Sequence, residues 1–306
     1  MEINKDLKNK KEELLNYFRN RAEEYSSEII KKYGVSEFKK RASEMNKAVK
    51  AIRENILSIL NQKAKKEHWT NNEILECIML IYYVSYIVML EFRNKMWPYE
   101  YMTFSRRIGE LWEPFCKLPI QYPINNIELF TPPTFDEVKK KLTKEIEEYI
   151  ESLPLNREQK NELMKYYRKV WALVTSGDVK LELDLHFIYK GKKFVVDLKS
   201  GFHSNEKGNT NRLLLVGAIY KNLEENYRML IFVRSEEDEN NHYLQTLKRS
   251  GIWEVFCGNS AYNKIKEYSG YDIKKWIDKN VDWENDISSE FYSFLQSRDL
   301  LKYLRW

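Results

Sequence analysis

The densest chemistry in the sequence is packed into one short stretch. Glu182-Leu183-Asp184-Leu185-His186 is followed by Tyr189-Lys190-Gly191-Lys192 and then by Val195-Val196-Asp197-Leu198-Lys199-Ser200. A two-residue loop containing Gly between alternating runs is a hairpin signal. With Lys190-Gly191 as the loop, Tyr189 faces Lys192, Asp184 faces Asp197 and Glu182 faces Lys199. Facing residues project from one side of a sheet with Cβ atoms about 4.5–5.5 Å apart. Four ionisable groups therefore converge on one face, while Leu181, Leu183, Leu185, Val196 and Leu198 line the other. Two carboxylates that close repel unless a cation lies between them or one keeps its proton. Oxygen ligands of this kind select hard ions, and Mg²⁺ commonly takes one or two carboxylates plus water and substrate phosphate. The expected chemistry is metal-dependent phosphoryl transfer, with Asp184 and Asp197 as ligands and Lys199 beside the attacking water. There a protonated amine stabilises the charge that builds on the phosphate. A solvated hairpin with cross-strand ion pairs is the structural alternative, but ion pairing alone would avoid setting Asp against Asp.

An acid, a hairpin, and Asp-Leu-Lys closing an apolar strand together resemble the PD-(D/E)-x-K nuclease superfamily. That superfamily includes most type II restriction endonucleases, Holliday-junction resolvases and repair nucleases. The resemblance implies Asp184 as the first acid, Asp197 as the second and Lys199 as the lysine, with Mg²⁺ as cofactor and Mn²⁺ as its substitute. It covers the hairpin directly; the helix that follows and the strand at 227–233 also fit the superfamily's αβββαβ core. Leu183 stands where a proline would precede the first acid. Members often add a glutamate from a helix before the hairpin. The segment Ser105-Arg106-Arg107-Ile108-Gly109-Glu110-Leu111-Trp112-Glu113 looks like that helix, with either Glu110 or Glu113 as a further metal ligand. Ion pairing at i, i+3 and i, i+4 is the other use of those charges.

Several neighbours carry secondary expectations. Glu182 and His186 share the parity of Asp184 and read as accessory groups, although a lone His on a sheet face is more often a hydrogen-bonded bystander. Asp178 has the same parity but lies about 20 Å upstream on an extended chain, so it ranks below Asp184. Residues 200–212 read as a long polar loop leaving the catalytic strand, a position that suits nucleic acid. Within it Ser200, His203, Asn205, Lys207, Asn209, Asn211 and Arg212, with Arg106 and Arg107 upstream, are the types that hold phosphates or read base edges. No glycine-rich phosphate loop is present, so ATP has no place in the expected reaction.

The elements that must position these residues fall into two textures. Residues 5–33, 36–62 and 70–97 show helical apolar spacing, Gly34 stops the first run, and Thr70 caps the third. Cys77 to Leu90 carry no charge, yet that run is short of the roughly 20 residues a bilayer span needs; it reads as a core helix. A helix at 103–118, a Pro-bearing link and two charged helices at 134–152 and 156–175 follow. From Gly177 the pattern turns to strands at 179–189, 193–198, 227–233 and 252–256. Helices at 212–225 and 240–250, and two or three between 261 and 304, fill the rest. The fold class expected is α/β: a restriction-endonuclease-like mixed sheet flanked by helices (101–306), preceded by an all-helical basic lobe for DNA binding or dimerisation (1–100).

Composition agrees with a folded, non-secreted protein. Of 306 residues, 43% are hydrophobic, which excludes a disordered chain, and 32% are charged, which excludes a multi-span membrane protein. The net charge of +5 is mild, but residues 1–66 hold 17 Lys/Arg against 10 Asp/Glu, leaving +7 there and −2 elsewhere. That distribution suits a lobe that grips phosphates beside one that binds metal. Cys77, Cys116 and Cys257 form no C-x-x-C pair, which argues for a reducing compartment and against a zinc site. The charged N-terminus has no apolar stretch behind it, so a cytoplasmic location is expected and no membrane partner. The function expected is a site-specific endonuclease on double-stranded DNA, acting as a homodimer with a cognate methyltransferase in the host. A repair or recombination nuclease, or a nucleic-acid-binding protein without cleavage, are the alternatives.

Overall fold

Thr70 accepts a hydrogen bond from the Glu73 amide while the Glu73 carboxylate takes the Thr70 amide. This capping box starts the helix around which the protein is built. The structure is a computed structural model that describes residues 2–174, 179–203, 206–223 and 226–306. It is mixed α/β, with an N-terminal helical lobe and a five-strand mixed sheet with flanking helices. In the lobe, α1 (Lys11–Lys32), α2 (Phe38–Lys66) and α4 (Tyr101–Gln121) surround α3 (Asn71–Met96). Residues of α3 are apolar on nearly every side, and Leu80, Ile81, Val84, Ile87 and Leu90 are essentially inaccessible. Each aliphatic side chain buried this way contributes about 1.5–3 kcal/mol. By length and composition α3 could cross a membrane, but it is mostly buried inside the protein. Its apolar surface is used within the chain, as expected of a core helix.

The sheet holds β1 (Glu128–Leu129), β2 (Leu185–Tyr189), β3 (Lys192–Lys199), β4 (Tyr227–Val233) and β5 (Trp253–Cys257), in that spatial order. β1, β2 and β3 pair antiparallel; β3, β4 and β5 pair parallel. The hairpin register is the one the turn predicts, from Tyr189 opposite Lys192 to Leu185 opposite Val196. Both loop residues take positive φ, Lys190 at 50° and Gly191 at 74°, as a tight turn between twisted strands requires. Alternation then sorts the side chains. Leu185, Phe187, Phe194, Val196 and Leu198 pack towards the helical lobe. Val195, Met229, Ile231 and Val233 pack with α7 (Lys207–Leu223), α8 (His242–Arg249) and the start of α5 (Phe135–Ser152). α6 (Arg157–Val174) folds back on α5.

The last helices, α9 (Asn259–Ser269), α10 (Ile273–Asn280), α11 (Trp283–Asp286) and α12 (Ser289–Ser297), return to the N-terminal lobe. Tyr83 of α3 sits among Trp276, Trp283 and Trp306, and its hydroxyl donates to Asp286 at 2.8 Å. Glu91 of α3, 3% exposed, accepts two bonds from Arg19 and one from the Ser288 amide. One apolar cluster therefore runs from Leu7 to Leu300 and crosses residue 100 without a break.

Three expectations of extent are corrected. β2 starts at Leu185 rather than at residue 179, because the chain bends at Asp184. α7 starts at Lys207, so the polar segment after β3 is short and residues 207–212 are helical. The two-residue strand β1 lies in what reads as a plain Pro-bearing link. Asp178 lies outside the described residues.

Candidate active site

The site forms where β3 ends against α4. Gly109 makes the approach possible: a Cβ there would stand 2.5 Å from the Cβ and Oγ of Ser200. One and two helical turns further on, at the same spacing of four, are Glu113 and Lys117. α4 thus presents a glycine, an acid and a lysine in a row along the end of β3.

Asp197 is the buried centre. It is 2% exposed, its Oδ1 is 3.3 Å from the Arg212 guanidinium, and its Oδ2 is 2.6 Å from Lys199 Nζ. The Lys199 ammonium is the close partner of this buried oxygen. Burial pushes the Asp197 carboxyl up, with Asp184 adding to the rise and Lys199 and Arg212 opposing it. Burial also works against the Lys199 ammonium, but the Asp197, Asp184 and Glu113 carboxylates outweigh it and its pKa is raised. Lys199 is therefore a cation at neutral pH, which fits charge stabilisation rather than proton abstraction.

Asp184 is held differently from the facing position that a regular strand would give. Its Oδ2 accepts the Leu198 amide at 2.8 Å, and its Oδ1 is 2.7 Å from Lys117 Nζ. The bend that presents it is tied down on both sides. The Leu181 carbonyl accepts from Tyr220 at 2.9 Å, and the Leu183 amide donates to His186 Nε2 at 3.4 Å. Leu181 and Leu183 consequently pack with Val195 on the α7 side, not with Leu185, Val196 and Leu198 as strand alternation predicts.

Glu113 completes the cluster. Burial raises its pKa to about 7; repulsion from Asp184 and Asp197 adds to the rise, while Lys199 and Lys117 oppose it. Glu110 does not join: it is on another face of α4, paired with Arg107 at 2.9 Å and Arg106 at 3.2 Å. Of the two glutamates open in the sequence, only Glu113 interacts with the aspartates. His186 is a positioning residue. Burial lowers its pKa to about 4, so its neutral ring accepts the Leu183 amide. Glu182 is exposed ahead of β2, and Lys199 pairs with Asp197 instead.

The expected DNA-contacting residues divide. Arg212 is drawn into the cluster. Lys207 and Asn211 are exposed on the first turns of α7. Asn209 donates to Glu206 at 3.2 Å, and His203 is held by Ser235 Oγ and the Glu239 carbonyl, both at 3.1 Å. The Ser200 carbonyl accepts from the Ser235 amide and hydroxyl. Asn205 lies outside the described residues. In the basic N-terminal segment, several cations are engaged in ion pairs, among them Lys5 with Glu73, Lys11 with Asp286 and Arg19 with Glu91.

Lys117 is the residue that sequence reasoning missed. The available signal was its spacing of four from Glu113 and eight from Gly109 on one helix. With it, three acids (Glu113, Asp184, Asp197) meet three cations (Lys117, Lys199, Arg212). Among the described residues, no three His, Cys, Asp or Glu side chains are close enough to hold a metal as they stand. The donor chemistry nonetheless fits a hard divalent ion: three carboxylates whose mutual repulsion helps raise the Glu113 pKa. Compared with protein-family models, curated proteins and solved structures, the chain matches none.

Proposed function

We propose that the protein is a Mg²⁺-dependent endonuclease of the PD-(D/E)-x-K type that cuts double-stranded DNA at specific sites. The observation that carries this reading is the meeting of Asp184, Asp197 and Lys199 at the end of one hairpin with Glu113 delivered by the preceding helix. Carboxylates from separate elements, a strand bend, a strand and a helix, converge beside a lysine held as a cation. The order of antiparallel hairpin, helix and parallel strand supports a restriction-endonuclease-like core. In this reading Asp184, Asp197 and Glu113 would hold the ion, with Lys117 yielding its place beside Asp184. Bound Mg²⁺ supplies a Lewis acid that neutralises phosphate charge and lowers the pKa of its water. Lys199 stays protonated beside the scissile phosphate and stabilises the charge that develops there. Arg212 holds Asp197 in place. Cutting both strands of a symmetric sequence calls for two such sites, hence a homodimer, with a cognate methyltransferase protecting host DNA.

A second reading, a nucleic-acid-binding protein without cleavage, is favoured by the Lys117–Asp184 pair, which satisfies the first acid without metal. Incubating the purified protein with supercoiled plasmid and Mg²⁺ or Mn²⁺ separates the two. Discrete bands are expected, lost by at least about 100-fold in Asp184→Ala, Asp197→Ala and Lys199→Ala, with DNA binding in Ca²⁺ retained. Intact plasmid with a gel shift supports the second reading; smears or structure-dependent nicks support a repair nuclease.

A further inference from the structure

Arg234 is the first residue beyond β4, and its amide donates to the Lys199 carbonyl at 2.9 Å. Because β3 and β4 are parallel, with Lys199 opposite Val233, this bond sets Arg234 beside the lysine of the acid cluster. Its guanidinium is poorly compensated. Nη1 donates to the Arg305 carbonyl, and Nε is buried with no hydrogen-bond partner. Among the described residues no carboxylate lies within ion-pair distance of it, and nearby Glu239 is paired with Arg305 at 3.0 Å. A guanidinium remains charged at neutral pH, and a largely buried cation without an anion is an unfavourable arrangement that an incoming anion relieves.

Arg234 lies between two cavities: one of about 240 Å³ that it shares with Glu236, Glu239 and Arg305, and one of about 380 Å³ between the first turns of α4 and the segment after β3. Arg106, His203, Tyr101 and Met102 also wall the larger one. Tyr101 and Met102 are 57% and 74% exposed, an apolar and aromatic surface in a wall that also includes Arg106, which pairs with Glu110 at 3.2 Å, and Arg234. The wall includes one carboxylate among the described residues, Glu206, which accepts from Asn209. α4 joins this cavity to the acid cluster: Ser105 lines the cavity, Gly109 meets Ser200, and Glu113 enters the cluster. Eight residues of helix span about 12 Å, equivalent to roughly three or four nucleotides of B-form rise at about 3.4 Å each.

We propose that this cavity binds one nucleotide of a nucleic-acid strand that leads to the acid cluster, with a phosphate on Arg234 and Arg106 and the base against Tyr101 and Met102. Arginine forks match phosphate oxygens, and bases stack on exposed aromatic rings whatever their sequence. The destination of the strand rests on the nuclease reading; the cavity and its unpaired guanidinium do not.

The test is fluorescence anisotropy of a labelled thymidine tetranucleotide without divalent metal, so that cleavage does not enter. Wild type is expected to bind it. Arg234→Met and Arg106→Ala should each weaken binding about 10-fold, and Tyr101→Ala by roughly 5-fold or more. Arg106 is 76% exposed on its side chain, so Arg106→Ala keeps the fold and decides the matter if Arg234→Met does not fold. Wild type that ignores the tetranucleotide, or folded Arg234→Met and Arg106→Ala variants that bind like wild type, overturns the proposal. Plasmid digestion is read separately. Tetranucleotide binding lost in the arginine variants, with plasmid never cut, supports this site and sinks the nuclease reading. Plasmid cut while the arginine variants still bind the tetranucleotide normally does the reverse.

Discussion

Lys117 Nζ lies 2.7 Å from Asp184 Oδ1, placing an ammonium group from α4 on the carboxylate oxygen that a divalent ion would need. The pair is mostly shielded from solvent, at 23% exposure for each side chain, so it is stronger than a surface ion pair. On the proposed nuclease reading, Lys117 and a divalent ion would compete for that oxygen.

Replacing the lysine exposes that rivalry. Lys117→Met leaves Asp184 with the Leu198 amide and without its ion-pair partner, which should cost roughly 1–3 kcal/mol in the absence of metal. Millimolar Ca²⁺ or Mg²⁺ should restore much of the melting temperature by binding only the folded state. Thermal melts with and without the ions measure it. A variant indifferent to both ions would mark the cluster as structural.

Glu113 gives the site a pH signature. Its folded pKa of about 7 lies above the usual carboxyl value of 4.5, so between these values the folded state binds the extra proton. Stability from this group is complete below about pH 4.5 and is lost as pH rises through about 7, by on the order of 1–3 kcal/mol. Glu113→Gln should flatten that decline in denaturation midpoints measured from pH 4.5 to 8. Metal affinity should move oppositely, rising with pH as the carboxyl ionises. An identical pH dependence in the variant would place the titration elsewhere.

At Gly109, substitution by alanine sets helix propensity against packing. Alanine favours the helix by about 1 kcal/mol, but its Cβ would stand 2.5 Å from Ser200. The expected result is a net loss of about 1–3 kcal/mol and reduced plasmid cleavage, as α4 and Glu113 shift off the strand end. Ser200→Gly in the same chain should recover both. Failure of that rescue would show that Gly109 matters for another reason.

Glu91 links α1 and α3 to the C-terminal segment through Arg19 and Ser288. Removing one side of a buried, hydrogen-bonded ion pair typically costs about 3–5 kcal/mol. Urea unfolding of Glu91→Ala should show that loss as one cooperative transition. A separate early transition for either part would mean that the two ends of the chain are not coupled.

Local chemistry determined the hairpin. A loop of Lys190-Gly191 that accepts positive φ fixes the pairing of β2 with β3, and alternation then puts Asp197 and Lys199 on one side. The burial of α3 was equally legible, because a helix apolar on nearly all sides has nowhere else to go. The break at Asp184 was not: the stretch alternates as well as any strand. It ends as a bend because Tyr220, distant in sequence, the Leu198 amide, across the hairpin, and the nearby His186 ring capture its polar groups. Nor could spacing choose between Glu110 and Glu113, acids three residues apart on one helix. Only the seating of Gly109 on Ser200 turns Glu113 inward and leaves Glu110 to its arginines. Lys117 meets Asp184 across 67 residues of chain. Periodicity records which face of an element is buried, whereas the partner on that face is decided by how separate elements pack, and that is a tertiary property.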